Sequence, residues 1–316
     1  MKSSSMKELV KEYLDYRRKV GYKLLRQGYL LEEFARFADS CQHQGSLKTD
    51  LMIEWATKTK DKNPKYHSMR LQIVTKFAKY RSIHDPKTEV PPRGILGRVQ
   101  GRSQLVVYSD QQMNKLLEKI RLHKTQNNFT RETYETLLGL LLCTGLRISE
   151  ALNLMEAEVD LREGILRVVE TKFSKSRLVP LHKTAVEALK IYQKKRDEKF
   201  PRRFTNAFFV NDKGCAMTYG GLQSRFWKFK QKSGLQKDLM ASNPFHCFRH
   251  TFAMRRLIKW HRKGEDTEQR IAALSTYMGH VKVSDTYWYF HAIPELLELV
   301  SKRFERLSQY NTGTFQ

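Results

Sequence analysis

The sequence predicts a mainly α protein with a small antiparallel β-sheet, in which a helical N-terminal domain precedes an α+β C-terminal domain. Three observations carry this. Apolar residues recur at helical period through residues 6–82. A stretch with prolines and glycines, residues 83–108, then breaks the pattern. Beyond it, one hairpin signature at residues 165–181 stands among further amphipathic segments. The 316 residues are enough for two domains, and a hydrophobic content of 40% supports real cores.

In chain order, MKELVKEYLDYRRKV places Met6, Leu9, Val10, Tyr13, Leu14 and Tyr16 close to helical period. Residues 24–38, 50–58 and 65–81 give three more short helices, the last with Leu71, Val74, Phe77 and Ala78 as its stripe. The domain boundaries expected are 1–85 for this bundle, 86–108 for a basic linker and 109–316 for the second domain. In the linker, His84-Asp85-Pro86 and Val90-Pro91-Pro92-Arg93-Gly94 favour extended chain. Ser109 reads as an N-cap for a helix from Asp110. Leu137–Leu142 is a buried helix, Thr144-Gly145 turns the chain, and Arg147 opens the next helix with Glu150 three residues on. Two β-branched runs flank Lys172-Phe173-Ser174-Lys175 in a hairpin. Helices follow at 183–197 and 218–232, and Pro294 begins a last amphipathic helix over about 294–307.

The net charge of +25 calls for a polyanionic partner, most simply double-stranded DNA. Candidate backbone contacts are Arg17, Arg18, Lys19, Lys23 and Arg26 at the first helix junction and Lys87, Arg93, Arg98 and Arg102 in the linker. Lys175 in the hairpin and Lys228 and Lys230 in the helix at 218–232 complete the set. Taken singly, each such cation is more often part of a solvated face. The four cysteines form no C-x-x-C pair, which argues against a disulfide framework or zinc site. No apolar run reaches 18 residues and MKSSSMKELV lacks a signal-peptide core, so a cytoplasmic protein is expected.

The chemistry concentrates in residues 244–291. As a helix, PFHCFRHTFAMRRL projects His246, Arg249 and His250 from one face and Phe245, Phe248 and Phe252 from another. Imidazoles and a guanidinium over an aromatic back suit an anion. Gly279 would end the following helix in a left-handed cap, leaving His280 at the break. Arg147, behind a buried helix and a glycine turn, needs an anionic partner, and Glu150 alone could supply it. His246-x-x-x-His250 has zinc-like spacing, but Cys247 stands where a metalloprotease needs glutamate.

CTGLRISEALNL, TKFSKSRLVPL, HCFRHTFA and MGH…YWYFH, in this order, resemble the motifs of the tyrosine recombinase (phage integrase) family over roughly residues 109–310. The helical first domain is similar, by pattern, to the family's core-binding domain. The resemblance implies a site made of Arg147, Lys172, His246, Arg249, His280 and the nucleophile Tyr289, with no metal and no cofactor. It implies site-specific cutting and rejoining of DNA through a 3′-phosphotyrosine, without ATP. Arg147 and Arg249 would grip the non-bridging oxygens, His246 and His280 would add hydrogen bonds, and Lys172 would protonate the leaving 5′-oxygen. His246 could also help take the tyrosine proton. Glu150 and His250 fall behind these groups as orienting residues. Tyr287 is two residues from Tyr289, about 200° around a helix, so both cannot face one cleft.

The resemblance further implies self-association on DNA, a dimer per site and a tetramer in synapsis, through the helix at 294–307. Accessory or partner recombinases are a further partner class. The short segment before the first helix favours an Xer-like or mobile-element (transposon) enzyme over an integrase with an added arm-binding module. Alternatives are a type IB topoisomerase-like nicking enzyme and a catalytically silent DNA-binding protein of the same fold.

Overall fold

The computed structural model describes residues 5–97, 105–122, 128–169, 176–202, 204–232 and 243–291. It is mostly helical with one small antiparallel sheet, as the sequence pattern requires. The chain divides into two compact units, residues 1–103 and 104–316.

The first unit comprises α1 (Met6–Lys19), α2 (Leu25–Ser40), α3 (Thr49–Thr57) and α4 (Pro64–His84). The starts of α1 and α4 have a physical cause. Ser5 and Glu8 form a reciprocal capping box at α1. Asn63 caps α4, whose first residue is Pro64, pre-set for helical φ. Phe34, Trp55, Val74 and Phe77 fill the centre of this unit. Both ends of the stretch expected to be a linker are held in place. Glu89 accepts hydrogen bonds from Lys48 Nζ and Thr49 N at 2.9 Å, and Ser68 Oγ donates to Leu96 O at 2.8 Å, which binds residues 85–97 to the first unit. Leu105, Val107 and Tyr108 pack in the second unit.

The second unit begins with α5 (Asp110–Leu122), α6 (Asn128–Thr144) and α7 (Ile148–Leu152). The strands β1 (Val159–Asp160), β2 (Ile165–Val168) and β3 (Arg177–Pro180) form an antiparallel sheet in the order β1-β2-β3. Leu166 pairs with Val179 and Val168 with Arg177, so Leu166, Val168 and Val179 turn to the core together. The hairpin tip with Lys172 and Lys175 lies outside the described residues. Then come α8 (Lys183–Lys199), α9 (Tyr219–Lys232), α10 (Pro244–Arg262), α11 (Thr267–Met278) and α12 (Ser284–His291). The expected helix at 294–307 also lies outside the described residues. No helix among the described residues is long and apolar enough to cross a membrane.

Helix α10 organises the second unit. Asn243 caps it and Pro244 opens it. Its Phe245 and Phe248 are buried against Phe226 of α9, while Phe252, Met254 and Leu257 form a second cluster with Leu274 and Met278 of α11 and Tyr289 of α12. Each buried phenylalanine contributes roughly 1.5–3 kcal/mol from apolar burial. That aromatic face fixes the rotation of α10 and thereby the direction of its polar face.

Gly145 sets the spacing between the α6–α7 turn and α10. Its φ is +64°, and a Cβ there would drive into the Phe252 ring. Gly145→Ala is therefore expected to destabilise the protein by at least about 2 kcal/mol, read as a lowered denaturation midpoint.

Candidate active site

The short helix α7 holds Arg147 at its N-cap and Glu150 in its first turn. Glu150 Oε2 accepts from Arg147 N at 2.9 Å, and Oε1 accepts from Arg147 Nη1 at 2.6 Å. The internal ion pair that the sequence allowed is thus present. A third residue completes it. Arg177, on β3, donates to both Glu150 oxygens at 3.1 and 2.7 Å and from Nε to Tyr277 O at 2.8 Å. The Glu150 side chain is only 6% exposed. Burial pushes its pKa upward, but Arg177 and Arg147 outweigh burial and hold it at about 2.

Arg177 is the residue that sequence reasoning missed. The sign was available. A cation on the same strand face as the buried Val179 must find a carboxylate, by the argument applied to Arg147.

Arg249, from the polar face of α10, is only 1% exposed. It donates from Nη1 to Gly145 O at 2.7 Å and from Nη2 to Met278 O at 2.5 Å. Arg147 Nη2 donates to the adjacent carbonyl, Gly279 O, at 2.9 Å. Two arginines from distant parts of the chain therefore meet on consecutive carbonyls of one turn. Burial, then the charge of Arg147, lowers the Arg249 guanidinium to about 9.

That turn is made by Gly279, at φ +64°, with a bond from His280 N back to Ser275 O that closes α11 as a Schellman cap. It delivers His280 to the site. His280 Nδ1 lies 2.7 Å from Thr286 Oγ1 of α12, and Thr286 is fully buried. Burial, then Arg249 and Arg147, pushes His280 down to about 4. On α10, His246 sits at the rim of the site, and partial desolvation of its ring, then Arg249 and Arg147, lowers it as well. His250 lies deeper, its ring centroid 4.2 Å from that of His246, and burial with His246, Arg249 and His280 pushes it down to about 3. Among the described residues no group of His, Cys, Asp and Glu has the arrangement to hold a metal ion.

Tyr289 of α12 is 2% exposed, packed on Met254, Leu257 and Leu274, and its ring stacks 6.5 Å from that of His280. Its hydroxyl lies 2.9 Å from His250 Nδ1. Tyr287 faces away, 43% exposed. The rotation expected between residues two apart on a helix is what separates them. Arg147, Glu150, His246, Arg249, His250, His280 and Tyr289 thus come together, joined by Arg177. Lys172 lies outside the described residues.

Residues 107–295 match the model of the Phage integrase family. The chain belongs to the phage integrase family. It is 33% identical over 308 residues to an integrase/recombinase, y4rB, of Sinorhizobium fredii, covering 96% of this chain and 98% of that protein. It is 32% identical over 172 residues to the tyrosine recombinase XerC of Pelotomaculum thermopropionicum, covering 53% of this chain and 52% of that protein. Its fold is similar to that of the Tn1549 transposon integrase solved with transposon right end DNA, with a TM-score of 0.70 at 19% identity over 96% of this chain and 100% of that chain.

Of the surface candidates, Arg18, Lys19, Lys23 and Arg26 are exposed where α1 passes into α2, and Arg17 lies over the Tyr22 ring at 4.0 Å. Lys87, Arg93 and Lys228 are also exposed. Lys230 is not a surface cation. It is 7% exposed, and its ammonium lies 5.9 Å from the Trp227 ring centroid, because its position on α9 turns it inward with Phe226. Arg98, Arg102 and Lys175 lie outside the described residues.

Because Glu150 ionises at about 2, below its ordinary 4.5, the stability it contributes is present above about pH 4.5 and is lost as pH falls toward 2. Glu150→Gln should cost roughly 3–5 kcal/mol near neutral pH by leaving two arginines unpaired. The gap between wild type and variant should narrow between pH 4.5 and 2, as checked by urea midpoints across that window.

Proposed function

We propose that this chain is a site-specific DNA recombinase that cuts and rejoins DNA through a 3′-phosphotyrosine formed on Tyr289. The observation that carries the reading is the meeting of Arg147 and Arg249 on Gly279 O and Met278 O, in the turn that holds His280 and leads to the helix of Tyr289.

Each guanidinium has five N–H donors, so the two carbonyl and carboxylate bonds that each makes leave others for a phosphate. Held from both sides, the non-bridging oxygens of the scissile phosphate have their growing charge stabilised by donors already in place. His280, with Nδ1 occupied by Thr286, donates from Nε2, and His246 donates from the outer rim. Tyr289 Oη attacks phosphorus as the bond to the 5′-oxygen breaks, and Lys172 supplies the proton that oxygen takes up. A phenol with a pKa near 10 is also a competent leaving group, so an incoming 5′-hydroxyl reverses the step without ATP.

The first unit acts as the core-binding domain, with its exposed cations at the α1–α2 junction on the phosphate backbone. The helix expected at 294–307 docks on a neighbouring subunit, giving a dimer per site and a tetramer in synapsis, in the cytosol. Integration or excision of a mobile element is the favoured reaction, supported by the near full-length likeness to integrase/recombinase y4rB.

Two outcomes test the reading. Tyr289→Phe is expected to form no covalent adduct on a nicked suicide substrate while still shifting DNA in a gel; an adduct would refute the nucleophile. Arg147→Lys keeps a charge but loses the fork and should cleave about 100–1,000-fold more slowly, whereas a near wild-type rate would contradict the clamp.

A further inference from the structure

The geometry points to His250 as a catalytic residue whose Nδ1 receives the Tyr289 phenol proton during attack and returns it on rejoining. This rests on the proposed role of Tyr289 as nucleophile. Its ground is positional. Nδ1 of His250 lies 2.9 Å from Tyr289 Oη, the atom that would attack. The ring is fixed from three sides, with centroids 4.2 Å from His246, 5.6 Å from Trp288 and 5.5 Å from Tyr289. Adjacent in sequence to Arg249, it sits where the anion clamp and the nucleophile come together.

The charged and titratable groups acting on it are His246 and Arg249 from α10, His280 from the turn after α11, and Tyr289 from α12. In the DNA-free protein burial and those neighbours keep the imidazole neutral, with Nδ1 open to accept the phenol hydrogen. A phosphodiester between the arginines brings a negative charge that offsets their field, so the imidazole becomes more basic when substrate is present. The step balances. The Oη–H bond breaks and Nδ1–H forms, Oη bonds phosphorus, and the 5′-oxygen departs with a proton from elsewhere. On rejoining, Tyr289 Oη leaves phosphorus and recovers the proton from His250.

The test uses the full chain on nicked suicide DNA whose leaving group is either the natural 5′-oxygen or a 5′-bridging sulfur, which departs without protonation. His250→Asn retains a polar atom near the Nδ1 position but cannot carry the proton. It should bind DNA like wild type yet form adduct at least about 100-fold more slowly on both substrates. Its rate should rise about tenfold per pH unit as hydroxide supplies the phenolate, while the wild-type rate levels off. The sulfur substrate should rescue Lys172→Ala and leave His250→Asn slow. In His250→Ala, added imidazole should restore part of the cleavage. Cleavage by His250→Asn within a few-fold of wild type with the same pH curve would overturn the assignment, as would its rescue by sulfur. Tyr289→Phe separates the two ideas: an adduct there removes the nucleophile, whereas its silence beside an active His250→Asn removes only the proton acceptor.

Discussion

One buried carboxylate faces three arginines, and the rest of the second unit is arranged around that imbalance. Glu150 takes two bonds from Arg177 and two from Arg147, while Arg249 stands behind them on backbone carbonyls alone. Arg177 ties the β-sheet to the end of α11, Arg147 ties the α6–α7 turn to the same place, and Arg249 ties both to α10. The carboxylate cannot neutralise this cluster. A buried surplus of positive charge is costly unless an anion joins it, and a phosphodiester is an anion of the right charge and oxygen geometry for two forked donors.

Burial, together with these charges, acts on the imidazoles. Burial drives His250 and His280 far below their ordinary value, aided by His246 and Arg249 for the first and by Arg249 and Arg147 for the second, so both are neutral hydrogen-bonding groups. On the proposed reading, an arriving phosphate would offset these charges beside Tyr289.

Much of this was legible in the chain. The spacing of His246, Arg249 and His250 against Phe245, Phe248 and Phe252 is a helix with two faces, and α10 has both. Gly279 announced a left-handed cap, and the cap is there. Periodicity is a local property, and these features are local. What the sequence hid is long-range. Arg177 gains its meaning from Glu150, 27 residues away, and nothing near it on the strand names that partner. His250 lay on the right face, but its bond to Tyr289 spans 39 residues and depends on how the turn at Gly279 reverses the chain. Lys230 was misjudged for a related reason: alternating cations and aromatics on α9 do not say which cation the core will enclose.

The fold contributes rigidity where the chemistry needs it. A turn held by a glycine, two guanidinium groups and a buried threonine leaves His280 little freedom. The most direct test of the central claim is a structure of the protein on its DNA site with orthovanadate in place of the scissile phosphate. The account predicts vanadium bonded to Tyr289 Oη, with Arg147 and Arg249 both donating to its equatorial oxygens. Vanadate seated elsewhere, or held by only one of the two arginines, would contradict it.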